Sequence, residues 1–358
     1  MKRTFSKSII ALAVSTSPVL AEDDASGVSG QVRLGYINTD NTMTSLDTLS
    51  LGGRLSFTSP TYHGMSAGAS FYTTNPIGGL DEDPFFLDST NDGYSILGEA
   101  WVNADIGKTS VKLGRQAIDT PFADTDDIGM VQNTFEALTV TNNYFPNTEL
   151  FAAHLSRWAG VDAPVPEKFT KLDNNKGVNV VGAVHEVDKW GAQLWYYDSD
   201  KGTDISYADV TVKPNDNFSF GAQFANQNDT TVGGTGSDGR VSGVTAAYTH
   251  KDTTVAVDYN KVSGGQVTNG FGGGPFYTSG IDHTIADVAD QQATAIGVEY
   301  AGFKDWTLGI RKINFDKGED ELDLTASYQI RKNLNTSLEY ADMDADGTIV
   351  KAFLNLDF

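Results

Sequence analysis

Leu49-Ser50-Leu51-Gly52-Gly53-Arg54-Leu55-Ser56-Phe57 is the stretch whose reading decides the fold. Its odd positions carry Leu49, Leu51, Gly53, Leu55 and Phe57, and its even positions carry Ser50, Gly52, Arg54 and Ser56. Successive side chains of an extended strand point to opposite faces, so this period of two makes a strand with one apolar and one polar side. The pattern returns between Glu321 and Ile330, where Leu322, Leu324, Ala326, Tyr328 and Ile330 alternate with Glu321, Asp323, Thr325, Ser327 and Gln329. It returns again at the end of the sequence, with Val350, Ala352, Leu354, Leu356 and Phe358 set against Lys351, Phe353, Asn355 and Asp357.

Working outward from these three, the alternation predicts eighteen strands, at about 28–38, 46–57, 64–73, 93–106, 109–116, 135–142, 148–157, 177–187, 190–199, 203–213, 216–226, 239–250, 253–262, 291–301, 305–314, 320–330, 333–341 and 347–358. A strand of ~11 residues rises about 36 Å, and tilted by ~45° it covers the apolar band of an outer membrane. Every second connection is tight: Gly107-Lys108, Asp188-Lys189, Pro214-Asn215, Lys251-Asp252 and Arg331-Lys332. The intervening ones are mostly long, notably 74–92, 117–134, 158–176, 227–238 and 263–290, although 200–202 and 315–319 are short. Short turns at one end and long loops at the other are the asymmetry of outer-membrane barrels. An even strand number puts both termini on the short-turn side.

The N-terminus reads separately. Lys2, Arg3 and Lys7 precede a short apolar core from Ile9 to Val14, and Val19-Leu20-Ala21 fits a secretory cleavage site. Residues 1–21 are therefore expected to be a signal peptide and 22–358 the exported barrel domain. The sequence contains no cysteine, which excludes disulfides, thiolate catalysis and cysteine-based zinc sites. The net charge of −22 argues against nucleic acid and for cations or cationic solutes. No later stretch is apolar for 18 residues, so membrane crossing could only be by strands.

A soluble β-sandwich also alternates, and aromatic placement separates the two. Tyr36, Phe57, Phe71, Trp190, Tyr248, Tyr259, Tyr300, Trp306, Tyr340 and Phe358 fall near strand ends on or near the apolar face. Lipid–water interfaces select such girdles. Phe358 ends the last alternating strand, where barrels destined for outer membranes carry an aromatic recognition signal. The fold expected is all-β: an 18-stranded antiparallel transmembrane β-barrel with an inward-folded constriction loop, in the outer membrane of a Gram-negative-type envelope.

The loop 117–134 holds Asp119, Asp124, Asp126 and Asp127, with Glu136 just beyond it. Folded into the lumen, these five carboxylates would favour cations; left outside, they would be a solvated acidic loop. Strand parity points Arg33, Arg54 and Arg311 inward, with Arg115 and Arg157 at strand ends. Arg33, Arg54, Arg115 and Arg311 would form a basic wall opposite the acids, or else pair individually with lumen carboxylates such as Glu321 and Asp323.

The run Leu113-Gly114-Arg115-Gln116, then Thr120 to Ile128, then Asn133-Thr134-Phe135-Glu136-Ala137, resembles the third-loop region of OprD-family outer-membrane porins, most of all the branch with the epsilonproteobacterial major outer membrane proteins. Gly273-Gly274-Pro275-Phe276-Tyr277-Thr278 with His283-Thr284-Ile285 resembles that family's long loop before the fourteenth strand. The resemblance implies an 18-stranded barrel constricted by these two loops, cation preference, and a homotrimer. Family members specific for amino acids carry a marked basic ladder in the lumen; here the inward arginines are few, which favours a general pore.

No enzyme activity is expected. No cofactor is expected either, although weak divalent cation binding in the acidic loops stays open. Asp342, Asp344, Asp346 and Gly347 start like an EF-hand, but the twelfth position is Phe353 and not glutamate. Glycines 270 and 272–274 lack a following Lys-Ser/Thr pair and read as flexible backbone. The five histidines show no metal-ligand spacing; His154 and His185 could face the lumen. The partners expected are membrane lipid and lipopolysaccharide, small hydrophilic solutes and cations. A plugged adhesin barrel or a barrel enzyme are the competing classes.

Overall fold

The computed structural model describes residues 27–79, 83–230 and 238–358. The expected signal peptide and its cleavage site lie outside the described residues. The barrel strands are β1 (Gly27–Asp40), β2 (Ser45–Thr58), β3 (Met65–Pro76), β4 (Tyr94–Ile106), β5 (Thr109–Gln116), β6 (Thr134–Asn142), β7 (Thr148–Ala159), β8 (Val178–Val187), β9 (Trp190–Asp198), β10 (Thr203–Val212), β11 (Phe218–Asp229), β12 (Gly239–His250), β13 (Thr253–Ser263), β14 (Gln292–Tyr300), β15 (Trp306–Phe315), β16 (Glu321–Arg331), β17 (Leu334–Asp342) and β18 (Thr348–Asp357). Each pairs antiparallel with its sequence neighbours, and a two-residue strand, Thr170–Lys171, joins β7 beyond the end of β8. β1 pairs with β18 from Gln31↔Asp357 to Asp40↔Thr348, which closes the sheet into a barrel. Among the described residues, closure leaves none of the eighteen barrel strands as an edge, the condition for a sheet to sit in lipid. Among the described residues there is no α-helix.

The two faces follow the alternation. On β2, Leu51, Leu55 and Phe57 are exposed on the outside, while Thr48 and Ser50 are buried inside. On β18, Leu354 and Leu356 lie outside while Lys351, Phe353 and Asn355 are buried within. Tight turns sit where expected, and two need a left-handed backbone: Gly107 at φ +63° and Lys251 at φ +53°. His154 and His185 do not face the lumen. Register pairs His154 with Asn179, and both histidines share the face of Val181, which is on the exposed outer side.

Apolar packing occurs inside the barrel as well, because three long connections fold inward. Ile118, Phe122 and Ala123 of loop 117–133, with Phe276 and Ile285 of loop 264–291, are buried against Tyr197, Tyr207, Val241 and Ile313 of the wall. A second cluster buries Phe86 of segment 83–93 and Met130 against Ile37, Tyr72 and Phe353. The lumen is thus lined by polar strand faces and narrowed by loops seated on apolar wall residues.

Candidate functional site

Loop 117–133 leaves β5 and enters the barrel with an apolar anchor set among acids. Phe122 is 1% exposed and meets Tyr197, Tyr207 and Phe276 edge-to-face, with ring centroids 5.6, 5.6 and 5.7 Å away. These are favourable aromatic geometries. The Phe122 backbone N–H donates to the Tyr197 hydroxyl at 3.1 Å.

Loop 264–291 joins it through main chain. The Phe271 N–H donates to the Phe122 carbonyl at 2.9 Å, and the Asp124 N–H donates back to the Phe271 carbonyl at 3.0 Å. Gly270, at φ +80°, is where this approach is tightest: a Cβ there would sit 2.4 Å from the Phe122 carbonyl oxygen. The glycines here therefore hold a fixed contact where the sequence suggested flexible backbone. Two loops from distant parts of the chain form one crossbar.

The acids are distributed unevenly. Asp119 is exposed and accepts from the Thr125 N–H at 3.3 Å and hydroxyl at 2.6 Å. Asp124 accepts from the Asp126 N–H at 3.0 Å, and Asp126 adopts φ +39° beside Gly273. Asp127 pairs with Arg33 through both oxygens, at 2.6 and 3.0 Å. Asp162, not singled out from sequence, joins this group through Asn133, whose amide donates to it at 2.6 Å.

Glu136 stands apart. Unbroken β5–β6 register puts Arg115 opposite Glu136 and on the face of exposed Leu113, while Glu136 shares the face of exposed Leu138. Glu136 lies 3.7 Å from Arg115 and 3.9 Å from Arg157 on that outer side. A bulge at Ser156 turns Arg157 outward, although Leu155, two residues earlier, is buried inward.

The inward arginines are largely enclosed. Arg33 is 2% exposed and also bonded to Asn355 at 2.8 Å. Arg311 is 1% exposed, sits 3.1 Å from Asp258, and donates to the Tyr277 carbonyl of loop 264–291. Arg54 remains half-buried in a small lumen pocket shared with Tyr72, Asp127 and Gln132.

Two anchoring roles were not visible in the sequence reading, which placed Glu321 in the lumen only as a candidate partner of an arginine. Glu321, fully buried, accepts from the N–H groups of Asp282 (3.0 Å) and His283 (2.7 Å), and so fixes the far end of loop 264–291. The Pro84-Phe85-Phe86-Leu87 run buries Phe86 and Leu87 inside the barrel; an apolar run within a polar loop was its only signal. Burial and the nearby Asp209 carboxylate push the Tyr277 hydroxyl up, so it stays a donor to Asp209. Surrounding protein thins the water around Asp282, and Glu321 lies close; both hold its carboxyl above the ordinary range.

The family model for outer membrane porins of the OprD family matches residues 87–301, more than half of the chain. The chain belongs to the OprD family of outer membrane porins. The matched region includes both crossbar loops of this OprD-family barrel. Its architecture is similar to OpdK of Pseudomonas aeruginosa in the crystal structure with vanillate, at TM-score 0.79 and 16% identity over 92% of this chain and 98% of that one. It is similar to OccK8 (OprE) of the same organism, at TM-score 0.79 and 15% identity over 93% and 98%. OccAB3 of Acinetobacter baumannii gives TM-score 0.79 and 15% identity over 92% and 98%. No curated protein shows significant similarity to the sequence. Family and fold place this OprD porin in the outer membrane, in contact with lipid.

Proposed function

We propose that this OprD-family porin is a passive, cation-preferring channel for small hydrophilic solutes, with its narrowest section set by the crossbar of loops 117–133 and 264–291. The observation that carries the preference is the fate of the charges. Arg33 and Arg311 are buried against carboxylates that offset their charge, whereas the Asp119 carboxylate, which accepts from Thr125, keeps contact with water on the crossbar. An aqueous path lined by water-exposed carboxylates lowers the barrier for positive charge. Arg115 and Glu136 lie on the outer face and are not part of this path. Transport is diffusion down a gradient, with no catalytic step and no cofactor. The homotrimer belongs to the same proposal and would be read by cross-linking in intact membranes.

Single-channel recording across a salt gradient tests the reading. Wild type should give stable steps with a reversal potential of the cation-preferring sign. Replacing Asp119, Asp124 and Asp126 together by Asn, with Arg33–Asp127 kept, should lower the cation-to-anion permeability ratio severalfold. An unchanged ratio removes these residues from the path, and no steps from folded protein overturns the channel.

A further inference from the structure

On the outer face at the long-loop end, strand register lines up four charged residues. Arg115 pairs with Glu136, Glu136 with Arg157, and Arg157 with Lys171. Residues paired across an antiparallel sheet share a face, and neighbouring strands are ~4.8 Å apart. The row therefore sets three cations against one carboxylate over about 15 Å of barrel wall. This is the reverse of a sequence whose net charge is −22.

The row is held in place but open to the outside. Arg115 stacks over Phe169 with its guanidinium carbon 4.3 Å from the ring centroid, and donates to the Leu97 carbonyl at 3.0 Å. Arg157 is 40% exposed and Lys171 is exposed. Nearby acids are engaged elsewhere: Glu167 accepts from Ser89 at 2.7 Å, and Asp173 accepts from the backbone of Asp200 at 2.8 Å. Immediately towards the membrane centre the same face shows Leu113 and Leu138, 56% and 44% exposed. The cations thus sit where the apolar band ends, at headgroup depth.

We propose that this row is a binding site for a phosphorylated glycolipid of the outer leaflet, with phosphate on Arg115, Arg157 and Lys171 and acyl chains along Leu113 and Leu138. Guanidinium groups bind phosphate oxygens in pairs, and Glu136, 3.7 Å from Arg115 and 3.9 Å from Arg157, keeps the two guanidiniums beside one point of the wall that a monoester phosphate can bridge. The inference rests on the outer-membrane placement of the barrel and is independent of its ion preference.

The test is native mass spectrometry of the full-length porin in detergent, titrated with lipid A and with enzymatically dephosphorylated lipid A. Wild type should retain lipid A, and the variant Arg157→Gln with Lys171→Gln should bind it about thirtyfold more weakly. The dephosphorylated lipid should bind both proteins equally weakly. Millimolar inorganic phosphate should leave lipid A bound; if it displaces the lipid, the site recognises free phosphate and the proposal fails. Equal lipid A binding by wild type and variant also overturns it. Single-channel conductance of the variant should match wild type, which separates failure at this site from failure of the channel reading.

Discussion

The two crossbar loops are fastened to the wall in opposite ways. Loop 117–133 offers a charged side chain, Asp127, to a buried arginine of β1. Loop 264–291 offers main chain: its N–H groups enter the Glu321 carboxylate and its Tyr277 carbonyl meets Arg311. The first fastening neutralises a loop acid. The second leaves the loop acids Asp282 and Asp287 beside a carboxylate of like charge. One loop is thus held by charge pairing, and the other is held in spite of charge.

The largest effect should come from the ring at which the two loops meet each other. Phe122→Ala removes a ring that is 1% exposed and touches both wall and second loop, a loss of about 3–5 kcal/mol for a buried aromatic. Both loops should swing free, raising single-channel conductance and opening the loops to protease. Wild-type conductance would show that the crossbar does not depend on this ring. A smaller effect should follow Arg33→Gln, which breaks only the first fastening. Because Asp127 keeps 35% exposure, the cost should be about 2 kcal/mol, below that of a fully buried pair. Protease should then cut within 117–133 and spare 264–291, while cation preference rises as Asp127 loses its counter-charge.

The smallest effect is a pH dependence confined to the second loop. Asp282 and Asp287 have carboxyls raised above the ordinary range, chiefly by loss of surrounding water. A carboxyl raised in the attached state takes up its proton more readily there. Attachment therefore strengthens as pH falls through the raised range and is weakest above it. Open-channel noise should fall as the pH is lowered from neutral, and Asp282→Asn should show the quieter trace already at neutral pH. Noise that rises on acidification would reverse the comparison.

Much of this architecture was legible because period two is a local rule. Arg33, Arg54 and Arg311 were placed inward by counting positions, and the structure turns all three inward. Counting fails where the ladder slips. The bulge at Ser156 reverses the parity of Arg157, and nothing in that sequence announces an extra residue. Pairings across the lumen were equally hidden. Asp127 reaches Arg33 over 94 positions, and Asp282 reaches Glu321 over 39, so each depends on how the loops fold and not on neighbouring residues. Whether a carboxylate faces water or an arginine is decided at that level, which is why the acidic loop stood out while the arginine partner of Asp127 did not.

Closure through β1 and β18 has a consequence for biogenesis. The side chains of Gln31 and Asp357 bond at 3.0 Å across 326 positions, and the Gly30 N–H donates to the Phe358 carbonyl. Until that seam forms, both border strands present unpaired N–H and C=O groups that invite pairing with other chains. Ladders of such long sequence separation also form slowly. Transit to the membrane thus depends on keeping two distant segments apart from other chains until they can meet each other, which makes the seam the step most exposed to aggregation and the one a periplasmic holding factor would have to guard.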